Sequence, residues 1–149
     1  MNSLDLAKYI VTKCHDKTKD ITITKVHKLL YITYGSYLYE KNKPLFLNFT
    51  DKPYCYPYGP LFIKVQEYNY NTKDFIKNKY IIEVDKDIKR IINEVVNNYG
   101  DLKSGKLSSW SHREGSAWDR VVKEKGINYN VINDEYIKEE FIEIFNENK

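Results

Sequence analysis

Within residues 85–100 the apolar side chains Ile88, Ile91, Ile92, Val95, Val96 and Tyr99 recur at i, i+3, i+4, i+7, i+8 and i+11. That spacing gathers them onto one face only if the segment is helical. Asp85 stands where a helix start is expected, and Gly100 where a C′ glycine ends one. A helix so one-sided cannot stand alone, so the fold must supply a core for it.

The same period recurs along the chain. Asn2 can cap a first helix with Asp5 in its first turn and with Leu6, Ile10 and Cys14 as its stripe. Residues 20–24 are β-branched and short, which suits an extended segment. Thr24 can then cap a second helix running to about Lys41, with Val26, Leu29, Leu30, Tyr34, Tyr37 and Leu38 inward and Lys25, Lys28 and Lys41 mostly outward. Gly35 in its middle costs up to about 1 kcal/mol against Ala, which suggests close approach of another backbone. Pro44 stops this helix. Further on, Leu107 and Trp110 mark a short helix over 102–112, and Ser116 through Asp119 make a capping-box-like start that ends at Gly126. A last helix opens at Asn133 or Asp134 and buries Ile137, Phe141, Ile144 and Phe145.

Residues 42–58 break the pattern. Tyr54, Tyr56 and Tyr58 alternate, as on one side of a short strand, and Pro53 and Pro57 confine it to an edge. Tyr58-Gly59-Pro60 forms a turn that opens a further helix with Pro60 in its first turn, followed by Leu61, Phe62, Val65 and Tyr68 on one face. Residues 79–84 are β-prone and suit pairing with the tyrosine segment. The expected fold is therefore mainly α, a compact single domain over residues 1–149 with six or seven helices and a small β hairpin or ribbon, on the α+β borderline.

Composition narrows function. With 42% hydrophobic and 30% charged residues the chain has the balance of an ordinary globular domain. No stretch reaches the roughly 20 apolar residues of a membrane span, and residues 1–11 do not resemble a signal peptide. A cytoplasmic setting follows, with Cys14 and Cys55 as reduced thiols. Residues 1–80 hold 13 Lys, no Arg and 7 acidic residues, a balance of +6, while residues 81–149 stand at −3. That basic half suits an acidic partner, nucleic acid, or nothing more than a solvated surface. Abundant Lys, Asn, Ile and Tyr point to an AT-rich coding genome, such as a low-GC bacterium or its phage.

Catalytic signatures are missing. No phosphate loop, dinucleotide fingerprint, zinc-protease or nucleophile-elbow motif occurs, and no cofactor is expected. Cys14 and His15 are adjacent and so point about 100° apart on a helix. His15, His27, His112, Cys14 and Cys55 lack the paired spacing of metal ligands. His112 with Glu114 is the most enzyme-like pair, although a histidine ending a helix also serves the free carbonyls there. Direct DNA reading is disfavoured because residues 1–80 contain no Arg, and Lys25 and Lys28 suit phosphate rather than bases. The tyrosines at 54, 56 and 58 suit either core or a protein-binding surface, where tyrosine offers area with few rotatable bonds.

Three stretches together resemble the Panacea (SocA-like) antitoxin domain. The first runs from Thr24 through Lys28, Leu29, Leu30 and Tyr31 to Gly35, Tyr37, Leu38 and Lys43-Pro44-Leu45-Phe46. The second is Tyr58-Gly59-Pro60. The third comprises Tyr99-Gly100, Leu107, Ser111-His112, Glu114 and Trp118. They occur in the family's order, and the resemblance as a whole covers about residues 4–145. Cys55-Tyr56 stand where the family has Ala-Trp, Leu61 where it has Val, and Ala117 where it has Pro. The resemblance implies an antitoxin, not an enzyme, that neutralises a cognate toxin encoded beside it by direct protein binding. It also implies an alternative, an adaptor delivering the toxin to the ClpXP protease; a second alternative, a DNA-binding regulator or autorepressor, comes from the Lys-rich N-terminal half. The resemblance transfers no catalytic residues. Partner-binding candidates are Lys25, Lys28, Tyr54, Tyr56 and Tyr58; the motif residues, His112, Glu114 and Trp118 included, are expected to be scaffold.

Overall fold

A computed structural model describes residues 1–127 and 129–147. Among these residues the architecture is mainly α, with seven helices and one two-stranded antiparallel ribbon. Helix α1 (Ser3–Asp16) begins as expected, with the Asn2 side chain accepting the Asp5 N–H at 2.9 Å. Leu6, Ile10 and Cys14 are fully buried along it.

Helix α2 (Ile23–Lys41) is capped by Thr22 rather than Thr24, its hydroxyl accepting the Lys25 N–H at 3.1 Å. Residues 23 and 24, expected to be extended, are already helical, because Thr22 supplies the cap two positions earlier. The helix ends on Asn42, which is left-handed at φ 55. Helix α2 packs against α1 on one side; the three helices described below that also pack on it enclose the rest. Every residue from 25 to 35 is buried. The expectation that Lys25 and Lys28 face outward is therefore corrected. It assumed a surface helix with one apolar stripe, whereas a helix enclosed on all sides buries its polar positions too.

Strand β1 (Tyr54–Tyr56) pairs with β2 (Gly59–Leu61), with Cys55 opposite Pro60 and Tyr56 opposite Gly59. Pro57 and Tyr58 form the two-residue turn. Pro60 is thus a strand residue, not the opening of a helix, and α3 (Ile63–Asn71) starts after the buried Phe62. Residues 79–84 do not join the ribbon. Their backbone bonds to helix α1 instead, the Tyr80 N–H donating to the Thr12 hydroxyl at 2.8 Å. The pairing they were expected to give comes from near the C-terminus. There the Cys55 N–H donates to the Asn130 carbonyl at 2.8 Å and the Ile132 N–H to that of Pro53 at 2.9 Å.

Helix α4 (Lys86–Tyr99) carries the diagnostic stripe, with Ile88, Ile91, Ile92, Val95 and Val96 all buried. Gly100 ends it in a right-handed conformation (φ −64, ψ −22) rather than the left-handed one that a C′ glycine favours. Helices α5 (Ser104–Ser111), α6 (Ala117–Lys125) and α7 (Asp134–Glu147) complete the chain. The Ser116 hydroxyl caps α6 by accepting the Asp119 N–H at 3.1 Å. Helix α7 lies along α2, and α4 and α5 also pack on α2. The approach that Gly35 permits is of the Phe141 ring, not of a backbone: a Cβ at residue 35 would overlap that ring. Buried apolar residues from Leu6 to Phe141 form one cluster.

Candidate functional site

The ribbon between Tyr54 and Leu61 is gripped from three directions. Its alternate carbonyls at 56, 58 and 60 each accept a hydrogen bond from a different helix. Trp118 of α6 donates its Nε1–H to Tyr56 O at 2.7 Å. Ser108 of α5 donates its hydroxyl to Tyr58 O at 2.8 Å. Lys28 of α2 donates its ammonium to Pro60 O at 2.9 Å. Gly59 sits between them at φ +116, where a Cβ would come within 2.5 Å of Ser111 Oγ and 3.2 Å of Lys28 Nζ. Only glycine combines that backbone with that clearance. Residues from three separated stretches of sequence, around 28, 58–60 and 108–118, thus form one unit.

Beneath this hairpin lie two buried basic side chains with unusual chemistry. His27 accepts the Phe62 N–H on Nδ1 at 3.2 Å, so its other nitrogen carries the proton and donates to Gln66 Oε1 at 3.2 Å. Burial first, and the Lys28 charge second, push its pKa down to about 3, so His27 is neutral. Burial also pushes Lys28 down to about 8, and no counter-ion among the described residues offsets it. Lys25, by contrast, places its ammonium on two carbonyls, Gly100 O at 2.7 Å and Asp20 O at 2.8 Å. The first of these is the C-terminal end of α4, where the helix dipole favours a cation.

A recess of about 340 Å³ opens beside the hairpin, lined by Ile23, Thr24, His27, Lys28, Gln66 and the residues 56–59 and 61 of the ribbon. Its rim is aromatic. Tyr58 at the turn is 77% exposed, and Tyr56 packs its ring 4.8 Å from that of Tyr129, itself more than half exposed. Tyr54 and Tyr56 share one face of β1 and are half-buried, while Cys55 between them is fully buried. A smaller cleft of about 160 Å³ lies between α2, α4 and α7, around Ser36, Tyr39, Val95 and Phe145. It touches none of the ribbon.

Among the partner-binding candidates, Lys28, Tyr56 and Tyr58 thus meet at one recess, Tyr54 lies on the same strand, and Lys25 lies apart near the end of α4. The motif residues Leu29, Leu30, Tyr31 and Phe46 are core, with Pro44 and Leu45 half-buried beside them. His112 and Glu114 do not come together as an acid–base pair. The His112 ring lies edge-on to Trp118 at 5.4 Å with Nδ1 buried and unpartnered among the described residues, and the Glu114 side chain is 92% exposed. His15 bonds the Ile76 carbonyl at 2.8 Å rather than Cys14. Burial pushes the thiols of Cys14 and Cys55 up to about 11 and about 12. Among the described residues no three His, Cys, Asp or Glu come together as a metal site, and no helix is long and apolar enough to cross a membrane. His27, Gln66 and Ser108 were missed in the sequence. Their roles come from the fold of the hairpin onto α2, and no local spacing signals that.

Comparison with known proteins gives two matches. Residues 26–119 match the family described as "Antitoxin SocA-like, Panacea domain". The chain is also 29% identical over 141 residues to a protein named Antitoxin SocA from Caulobacter vibrioides, covering 82% of this chain and 73% of that protein. No solved structure matches. The family match begins inside α2 and ends inside α6, so it encloses Lys28, the ribbon, Ser108 and Trp118 and leaves α1 and α7 outside.

Proposed function

The chain belongs to the SocA-like antitoxin family with the Panacea domain, and from that footing we propose that it neutralises a cognate toxin in the cytoplasm by binding it directly through the hairpin face. The observation that carries this reading is the convergence of Lys28, Tyr58-Gly59-Pro60 and Trp118 on one braced ribbon whose turn tyrosine stands in solvent. A loop tip held at three successive alternate carbonyls has little conformational freedom left to lose on docking, which favours affinity. Tyrosine rings beside a recess are the side chains that most often anchor a protein interface.

The same observation speaks against a DNA-contacting role for this face. The Lys25 ammonium lies away from the hairpin on two carbonyls, and the Lys28 ammonium is sunk in a recess beneath the turn rather than set on an open surface that a phosphate backbone could track.

Co-expression with the product of the adjacent gene tests the proposal. That product alone should arrest growth, and this chain should restore growth and co-purify with it. A harmless neighbour, or rescue without a complex, ends the reading.

A further inference from the structure

The charge under the hairpin has a consequence for what the partner must bring, and it rests on the reading of this face as the toxin-binding surface. The Lys28 ammonium can donate three hydrogen bonds and makes one. Among the described residues it has no ion pair, and no Asp or Glu lines its recess. Thr24 and Gln66, whose side chains carry a hydroxyl and an amide, line the same space, and the Gln66 oxygen is taken by His27. The neutral His27 supplies no compensating charge. A largely buried cation at the wall of an open recess gains from an anionic partner.

We infer that the recess receives a glutamate-type side chain of the partner toxin, its carboxylate oxygens meeting the Lys28 ammonium and the Gln66 or Thr24 donors while its stem passes between Pro57, Tyr58 and Ile23. The walls favour a side chain over a chain terminus. Ile23, Leu61, Pro57 and the tyrosine rings are apolar and match methylene groups, whereas a terminal peptide would bring unpartnered N–H and C=O groups against them.

The probe is N-acetyl-glutamate amide, with N-acetyl-glutamine amide as its uncharged isostere, titrated onto the intact protein while the Tyr56, Tyr58 and Lys28 resonances are followed. The glutamate derivative should shift these signals saturably, and the glutamine derivative should bind roughly ten- to a hundredfold more weakly, as befits a charge-assisted hydrogen bond. Equal binding of the two, no binding of either, or a response to inorganic phosphate alone overturns the inference. A second arm uses growth rescue from the adjacent toxin by Lys28→Met and Tyr58→Ala, each checked for an intact thermal melt. Loss of rescue in both supports the inference. Loss in Tyr58→Ala with full rescue by Lys28→Met keeps the docking face and overturns the carboxylate seat. Full rescue by both removes the docking face itself. Should Lys28→Met fail to fold, the isostere titration decides on the unaltered chain.

Discussion

Helix α2 buries charge on two sides and treats it in opposite ways. Toward α7 it meets Glu140, whose side chain is 2% exposed and is fully answered. Tyr31 donates its hydroxyl to it at 2.5 Å, Arg113 its guanidinium at 2.7 Å, and the Ala117 N–H reaches it at 3.3 Å. One turn away, Asp134 accepts from Tyr34 and pairs with Lys52. Toward the hairpin, α2 offers Lys28, as deeply buried as Glu140, with a single carbonyl for company. A satisfied buried network rigidifies a fold; an unsatisfied one stores unfavourable energy that a ligand can relieve. The α7 side is a fastening, whereas on the hairpin side a buried cation meets one carbonyl beside an open recess.

The largest effect should come from undoing the fastening. Glu140→Ala leaves the Tyr31 hydroxyl and the Ala117 N–H without their acceptor and strips Arg113 of its partner. The loss should be about 3 kcal/mol or more of unfolding free energy, the usual scale for removing one member of a buried pair. Urea denaturation measures it. A cost under about 1 kcal/mol would mean that α7 is held without Glu140, by Asp134 and by its apolar stripe, and the contrast between the two sides would lose its first half.

Acid should strike the hairpin side next. His27 titrates in the unfolded chain near 6.5 but resists protonation in the fold down to about 3. Below pH 6.5 the unfolded state therefore binds a proton that the folded state refuses, and stability falls as pH falls. From pH 6.5 to 5 the decline should be about 2 kcal/mol. His27→Asn, whose side-chain oxygen can take over the Phe62 N–H, should show a flat profile in that window. Equal slopes in the two proteins would assign the acid sensitivity elsewhere.

These two sides were unequally legible in the sequence. The 3.6 period and the caps at Asn2, Asp85 and Ser116 gave the helices, because caps and stripes are local. The tyrosine strand was legible from its alternation at Tyr54 and Tyr56, although Tyr58 falls in the turn, but its partners were not: 59–61 returns through a two-residue turn that reads as a helix start, and only the tertiary path brings 130–132 alongside instead of 79–84. Lys25 and Lys28 failed for a different reason. A lysine on a helix reads as surface when the helix has one apolar face, and nothing within α2 says that it is enclosed on every side. The resemblance to a known family marked Lys28, Gly59 and Trp118 together without saying why. Their common task is to hold the ribbon.

The smallest stability change should carry the opposite sign to the first. Burial lowers Lys28 from 10.5 to about 8, which disfavours its charged form by about 3 kcal/mol, while its bond to Pro60 O returns about 1 kcal/mol. Lys28→Met should thus leave the isolated protein more stable at pH 7, by about 1 kcal/mol once imperfect packing is allowed for. The pH dependence identifies the cause. Between about pH 8 and 10.5 the wild-type folded state has released the Lys28 proton and the unfolded state has kept it, so the penalty present below pH 8 fades as pH rises. The advantage of the methionine variant should shrink across that window. Cys14 and Cys55, raised to about 11 and about 12, pull wild-type stability down over the same range, but they do so in both proteins and drop out of the difference. A variant that is less stable than wild type at pH 7 by more than about 1 kcal/mol, with no pH trend in the difference, would show that Lys28 is as well answered as Glu140. The two sides of α2 would then be alike.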